Sequence, residues 1–290
     1  MGYVLARRRL AAAASSDRWR CLPDLKRFSV RTLSMKQPVF GRKQSSQQDP
    51  PRPSNEAASG GTHPGHAAVL RNLRESEGEK PFQRSQLVGN LLFDMTCKLI
   101  ASDRGVRVED LLAILASNGG YSCVLAALDE MSDRARPAGN DLLIVAGKDG
   151  HRYFFGDLPN RYLVESPHAL LSLALGAVQA CGGDVSAAMV EQTMAHVART
   201  VGGDSFGEPQ LPAAHRPSDS PFNYIRHLWP RFLDGLKLYE VPPTRWPMTL
   251  GFALQRAIEA GKAAIDPALA GRIVIECAVP MAKIDPKRIG

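Results

Sequence analysis

Three stretches carry residue types that could do chemistry or recognition. Residues Gly203 to Gly207 read GDSFG, which fits the G-x-S-x-G pattern of a serine nucleophile. That pattern works where a strand drives into a sharp turn and a helix leaves it, because the helix N-terminus then supplies oxyanion donors. Here the residues before Gly203 have helical periodicity, and EPQLPAAHRPSDSP after Gly207 holds four prolines. The sequence therefore predicts a loop at Ser205. Asp219 and His227 follow in the hydrolase order, but no alternation of strands and helices is present to build the sheet they need.

Cys123 is the second candidate. In NGGYSCVLAALDE (118–130) it reads as standing near a helix N-terminus behind two glycines, with Ser122 as N-cap. Backbone N–H groups and the helix dipole at such a position stabilise a thiolate. His151 or His168 would then act as base and Asp157 as its orienter. The competing reading is a small buried hydrophobe, the commoner fate of a free cysteine, and nothing in the spacing sets a histidine beside it. Cys123, His151 and Asp157 form the alternative, cysteine-enzyme reading.

The third stretch, PFNYIRHLWPRFLDGL (221–236), gathers Tyr224, Arg226, His227, Trp229 and Arg231, and the approach AAHRPSD adds Arg216 and Asp219. Aromatic and arginine side chains together are typical of contact hot spots. Helical spacing puts Phe222, Ile225, Trp229 and Phe232 on a buried face and Asn223 and Arg226 outside, with Pro230 kinking or ending the helix. These seven residues are the candidate surface for a protein or a small anionic ligand. In RIVIECAVP (272–280), Glu276 interrupts an apolar run. It reads either as a buried carboxylate or, preferably, as the partner of Arg272 one turn earlier on an exposed edge.

The elements that must hold these residues are mainly helical. Residues 85–103 set Val88, Leu91, Leu92, Met95 and Leu99 on one stripe. A short helix at 108–117 is stopped by Asn118-Gly119-Gly120, and a third runs from 121 to 133. DLLIVAGKDGHRYFFGD (141–157) then turns extended, and its Asp149-Gly150 marks a hairpin; LPNRYLVES adds a third short strand. Ser166-Pro167, Ser220-Pro221 and Asp266-Pro267 each pair a capping side chain with proline at the first helical position. Helices are expected over 167–181, 184–201, 247–261 and 267–279, the first apolar nearly all round.

The order helix, helix, turn, helix, hairpin over 82–157 is that of a winged-helix module, and a winged-helix-like DNA-binding regulator is a second alternative. Its chemistry argues against it. The would-be recognition helix offers Ser122, Asp129, Glu130 and Asp133 before its first basic residues, Arg134 and Arg136, and DNA phosphates repel carboxylates.

Charge is divided unevenly along the 290 residues. The first 80 hold 15 Lys and Arg against 7 Asp and Glu; the remaining 210 hold 21 against 22. The net charge of +7 is thus a property of the N-terminal part. Residues 1–35 are Arg-rich and acid-poor, as in an organelle transit peptide, or as in an over-extended start with Met35 the initiator. Residues 36–80 are rich in Gln, Ser, Pro and Gly and too poor in large apolar groups to offset their chain entropy. A disordered tail is expected over 1–80, in which His63 and His66 are weak metal candidates.

Five widely spaced cysteines without a C-x-x-C pair speak for reduced thiols in a cytoplasmic protein. No uninterrupted apolar run reaches the length that spans a bilayer, about 18 residues. A phosphate-binding glycine loop, a dinucleotide fingerprint, a zinc motif and a calcium loop are all missing from the sequence. The expected fold is α+β and predominantly α-helical: one helical domain over 81–290 with a small antiparallel β-hairpin, comprising sub-units 82–165 and 166–290. The expected function is that of a non-catalytic binding or regulatory protein with no cofactor, no metal and no membrane, and with a folded domain that does not bind nucleic acid.

Overall fold

The computed structural model describes residues 64–133 and 140–289. The expectations for 1–63, among them the metal candidate His63, and for Arg134 and Arg136 lie outside these residues. Within them the fold is the expected α+β, predominantly helical domain with one two-stranded antiparallel sheet. Eight helices of eleven residues or more run α1 (Pro64–Ser76), α2 (Gln83–Ile100), α3 (Val108–Ser132), α4 (Leu170–Ala180), α5 (Ala187–Thr200), α6 (Pro221–Leu238), α7 (Trp246–Gly261) and α8 (Pro267–Met281). Strands β1 (Leu143–Ala146) and β2 (Arg152–Phe155) sit between α3 and α4.

α3 is the axis around which the rest assembles. Its residues from Leu111 through Val124 are buried without a break. α8, α7 and α6 pack along it, and α7 in turn is held by α2 and α4. The helix is long and apolar enough to cross a membrane, and 89% of that apolar stretch is covered by the protein itself. A helix that is apolar on every side must be enclosed on every side, and here the enclosure is protein.

The expected stop at Asn118-Gly119-Gly120 does not occur; these residues continue α3. The glycines serve packing instead. A Cβ on Gly119 would come within 2.7 Å of Leu170 Cδ1, and one on Gly120 would collide with the backbone carbonyl of Ala278. Close approach of α4 and α8 requires their absence of side chain, and the tertiary contact offsets the roughly 1 kcal/mol helical penalty of each glycine. The turn on which a helix-turn-helix depends is therefore missing, and with it the winged-helix reading.

The hairpin is where its turn signal put it. Leu143 pairs with Phe155 and Val145 with Tyr153, and Gly150 supplies the left-handed turn residue at φ +75°. On its inner edge the Phe154 N–H donates to the Lys283 carbonyl (2.7 Å), which ties the sheet to the end of α8. Leu143, Ile144 and Val145 on the outer strand are exposed.

Three local expectations are corrected. Residues 157–165 form a helical turn (Asp157–Asn160) continued by a wider π-type turn (Arg161–Glu165), not a third strand. Ser166-Pro167 precedes α4 without capping it, since the helix begins at Leu170. Finally, the predicted tail overlaps α1. Leu73 is buried, His66 packs edge-on against Tyr239 (5.1 Å), and Arg74 forms an ion pair with Glu240. The other two proline caps are present: Ser220 Oγ accepts the Asn223 N–H (3.2 Å), and Asp266 Oδ1 accepts that of Leu269 (2.9 Å).

Candidate functional site

Cys123 stands in the middle of α3, fully enclosed, and its Sγ donates to the Gly119 carbonyl (3.3 Å). Burial pushes its thiol well above the usual range, and nearby Lys283 offsets this only in part. His151 and Asp157 are exposed on the hairpin turn and on the turn after β2. A sealed, protonated thiol and two surface groups make no catalytic centre. Ser205 lies in the turn joining α5 to the next segment, as expected of a loop. Its nominal partner Asp219 is occupied by the Ser220 N–H and the Asn223 side chain.

The cluster on α6 divides into two. Trp229 is buried edge-on against Tyr121 (4.9 Å) and Trp246 (5.7 Å), so it belongs to the core. Tyr224 is buried as well, and its hydroxyl donates to Asp110 Oδ1 (3.0 Å) while accepting the Asp219 N–H (3.1 Å). Desolvation and the adjoining carboxylates hold its phenol far above the ordinary range. Asp110 also accepts the Ser218 N–H (2.6 Å) and hydroxyl (2.7 Å). Arg107 donates to the Arg216 carbonyl (2.8 Å), and His215 Nδ1 lies 2.9 Å from Glu109 Oε1. This network clamps the approach to α6 onto the start of α3. Arg226, His227 and Arg231 are left on the outer face, exposed and without hydrogen-bond or ion-pair partners among the described residues. Pro230 lies on that face and does not end the helix, which continues to Leu238.

A different group of residues surrounds a cleft of about 350 Å³ between α5 and α8. Small-molecule sites usually occupy about 300–1,000 Å³. The stripe Met189, Gln192, Thr193, His196 and Arg199 runs along one face of α5 at helical spacing. Arg272 and Glu276, one turn apart on α8, form the opposite wall, and Gln210 completes the lining. Glu276 is only 8% exposed. The ion pair with Arg272 expected from their spacing is not formed: the Arg272 guanidinium donates to the Gln210 carbonyl instead. Glu276 Oε2 accepts the Gln210 N–H (3.1 Å), and Oε1 lies 3.4 Å from the Thr193 hydroxyl. The buried carboxylate thus has two neutral neighbours and no cation.

Unlike Glu276, two other cleft groups have no partner among the described residues. His196 Nε2 is out of reach of solvent and bonds to nothing. Arg199 is exposed at the rim and pairs with no carboxylate among the described residues. From floor to mouth the polarity therefore runs from carboxylate and hydroxyl to guanidinium. Val190 and Val197 of α5 are buried in the core, and the polar stripe beside them has the residue types of an ordinary solvated helix face. The one signal available was Glu276 inside an apolar run.

No protein-family model matches the chain, and searches of curated proteins and of solved structures likewise return no match.

Proposed function

We propose that the protein is a non-catalytic binding protein whose small-ligand site is the cleft between α5 and α8, and that its ligand carries negative charge toward Arg199 and Arg272. The observation carrying this reading is the grouping in one cleft of His196 Nε2, buried with no hydrogen-bond partner among the described residues, with Glu276, hydrogen-bonded but with no cation beside it, and the exposed Arg199. Buried polar atoms ordinarily find partners within the protein or from something bound there.

The test is to equilibrate the full-length protein with a small-molecule cell extract and identify what it enriches by mass spectrometry. Gln192→Trp, which enlarges an exposed side chain of the lining, serves as comparison. Enrichment by the wild type that Gln192→Trp loses supports the cleft. Equal enrichment by both proteins, or none by either, overturns it.

The outer face of α6 supports a second contact, with an acidic protein. Arg226, His227 and Arg231 are presented together on one helix with no partner among the described residues, and charge complementarity at such a rim steers association.

A further inference from the structure

We infer that the occupant of the α5–α8 cleft is a small zwitterion of the amino-acid class, its ammonium group on Glu276 and its carboxylate on Arg199; this rests on the cleft being the ligand site. The inference comes from how the cleft's charges are separated. Glu276 lies at the floor, almost closed to water, while the free guanidinium of Arg199 lies at the exposed rim. An arginine four residues from a glutamate on the same helix would ordinarily neutralise it. Here Arg272 is turned to the Gln210 carbonyl, and the Gln210 N–H is what reaches Glu276.

The residue at 210 thus holds both groups apart through its own backbone. Its carbonyl keeps the Arg272 cation away from the carboxylate, and its N–H satisfies one lone pair of Oε2. What remains at the floor is an anionic acceptor with spare capacity: a carboxylate offers about four lone-pair sites, and only a backbone N–H and a long hydroxyl contact fill them. His196 Nε2 adds a second unused group with no access to solvent. A ligand cation with several N–H donors, an ammonium above all, meets that requirement. A simple anion does not, because it would be brought against Glu276.

At the rim the requirement reverses. Arg199 offers a planar fork of donors suited to a carboxylate. Met189 gives the cleft an apolar wall, against which a short aliphatic portion can rest. A ligand carrying an ammonium and a carboxylate on a small carbon frame satisfies both ends. Acids without an amine satisfy only the rim, and amines without an acid satisfy only the floor.

The probes are the common L-amino acids, tested one at a time against the full-length protein by calorimetric titration. Each hit is compared with its decarboxylated amine and with the 2-hydroxy acid that lacks the amine. Binding of at least one amino acid is expected, with both truncated analogues weaker by about tenfold or more, the worth of one charge-assisted hydrogen bond. Arg199→Ala changes an exposed residue, and it should erase the advantage of the amino acid over its amine at an unchanged urea midpoint. Glu276→Gln should erase the advantage over the hydroxy acid. Hydroxy acids binding as tightly as amino acids, with Arg199→Ala weakening both, would overturn the zwitterion while leaving an anion site in the cleft. Amino-acid binding that neither variant alters would overturn this placement of the ligand. An absence of binding by every probe, with extract enrichment lost in Gln192→Trp, would overturn the amino-acid class alone.

Discussion

The Lys283 ammonium group donates to Asn160 Oδ1 across 2.7 Å, although Lys283 is only 3% exposed. It stands over the Phe155 ring at 5.3 Å, in the seam where the hairpin, the turn at 157–165 and the end of α8 meet. One neutral amide is a poor substitute for water around a charge. Burial accordingly lowers the lysine to about 8, against a partial rise from Cys123 and Glu165.

That depression makes stability depend on pH with a definite sign. An unfolded lysine titrates near 10.5, so between about pH 8 and 10.5 the unfolded chain binds more protons than the folded one, and stability rises with pH. Below 8 the cost of the buried charge is present in full, on the order of 3 kcal/mol from the size of the depression. Lys283→Met should therefore be more stable than the wild type at pH 7, with the difference shrinking toward pH 10. Urea unfolding of both proteins across this range checks it. A difference independent of pH would show that burial does not lower the titration of this amine.

Gly120 discriminates between a helix-stopping glycine and a packing one. If it merely weakened α3, Gly120→Ala would stabilise the protein by up to about 1 kcal/mol. The backbone carbonyl of Ala278 stands where the new Cβ would go, and backbone yields less readily than a side chain. We expect a loss of about 2 kcal/mol or more, as for other overpacked cores, read as a lower urea midpoint at unchanged slope. A higher midpoint would contradict the close approach of α3 and α8.

The Asp110 clamp should behave as a coupled unit. Tyr224→Phe removes one hydrogen bond to Asp110 and should cost about 1 kcal/mol; Asp110→Ala, which strands the tyrosine and Ser218 together, should cost roughly twice that or more. The double variant should cost less than the two singles combined, because both remove the same bond. Strict additivity in a double-mutant cycle would mean the clamp does not exist in solution.

Thiol accessibility follows directly from burial. Cys97 and Cys181 are partly exposed, whereas Cys123 and Cys277 are closed off. Burial raises both enclosed thiols, and the neighbouring Glu276 charge raises Cys277 further. Of the four described cysteines, iodoacetamide applied to the native protein at neutral pH should modify Cys97 and Cys181 first, and reach Cys123 and Cys277 only as the protein unfolds. Early modification of Cys123, mapped by peptide mass spectrometry, would revive a catalytic role for it.

The parts of the fold readable from the sequence were those set by local stereochemistry. Asp149-Gly150 made a turn because Gly150 must adopt positive φ. Ser220 and Asp266 capped helices because their side chains reach an N–H three residues on. The reading failed where a local signal had a distant cause. Gly119 and Gly120 look like a stop until Leu170 and Ala278 are placed against them. The cleft was harder still. Arg272 and Glu276 have the spacing of an ion pair, and only Gln210, far away in sequence, prevents them from forming one. Trp229 and Arg226 illustrate the same limit within α6: composition grouped them, and the helix sent one inward and the other outward.

The central position of α3 also constrains how the chain is made. The helix is synthesised before α6, α7 and α8, which provide most of its cover. Until α8 has left the ribosome, a nascent chain carries an uncovered apolar helix of membrane-spanning length. Its early neighbour α2 shields little of it. Folding of this domain is thus tied to completion of its last helix, and a chain interrupted ahead of α8 is a natural client for chaperones and quality-control proteases.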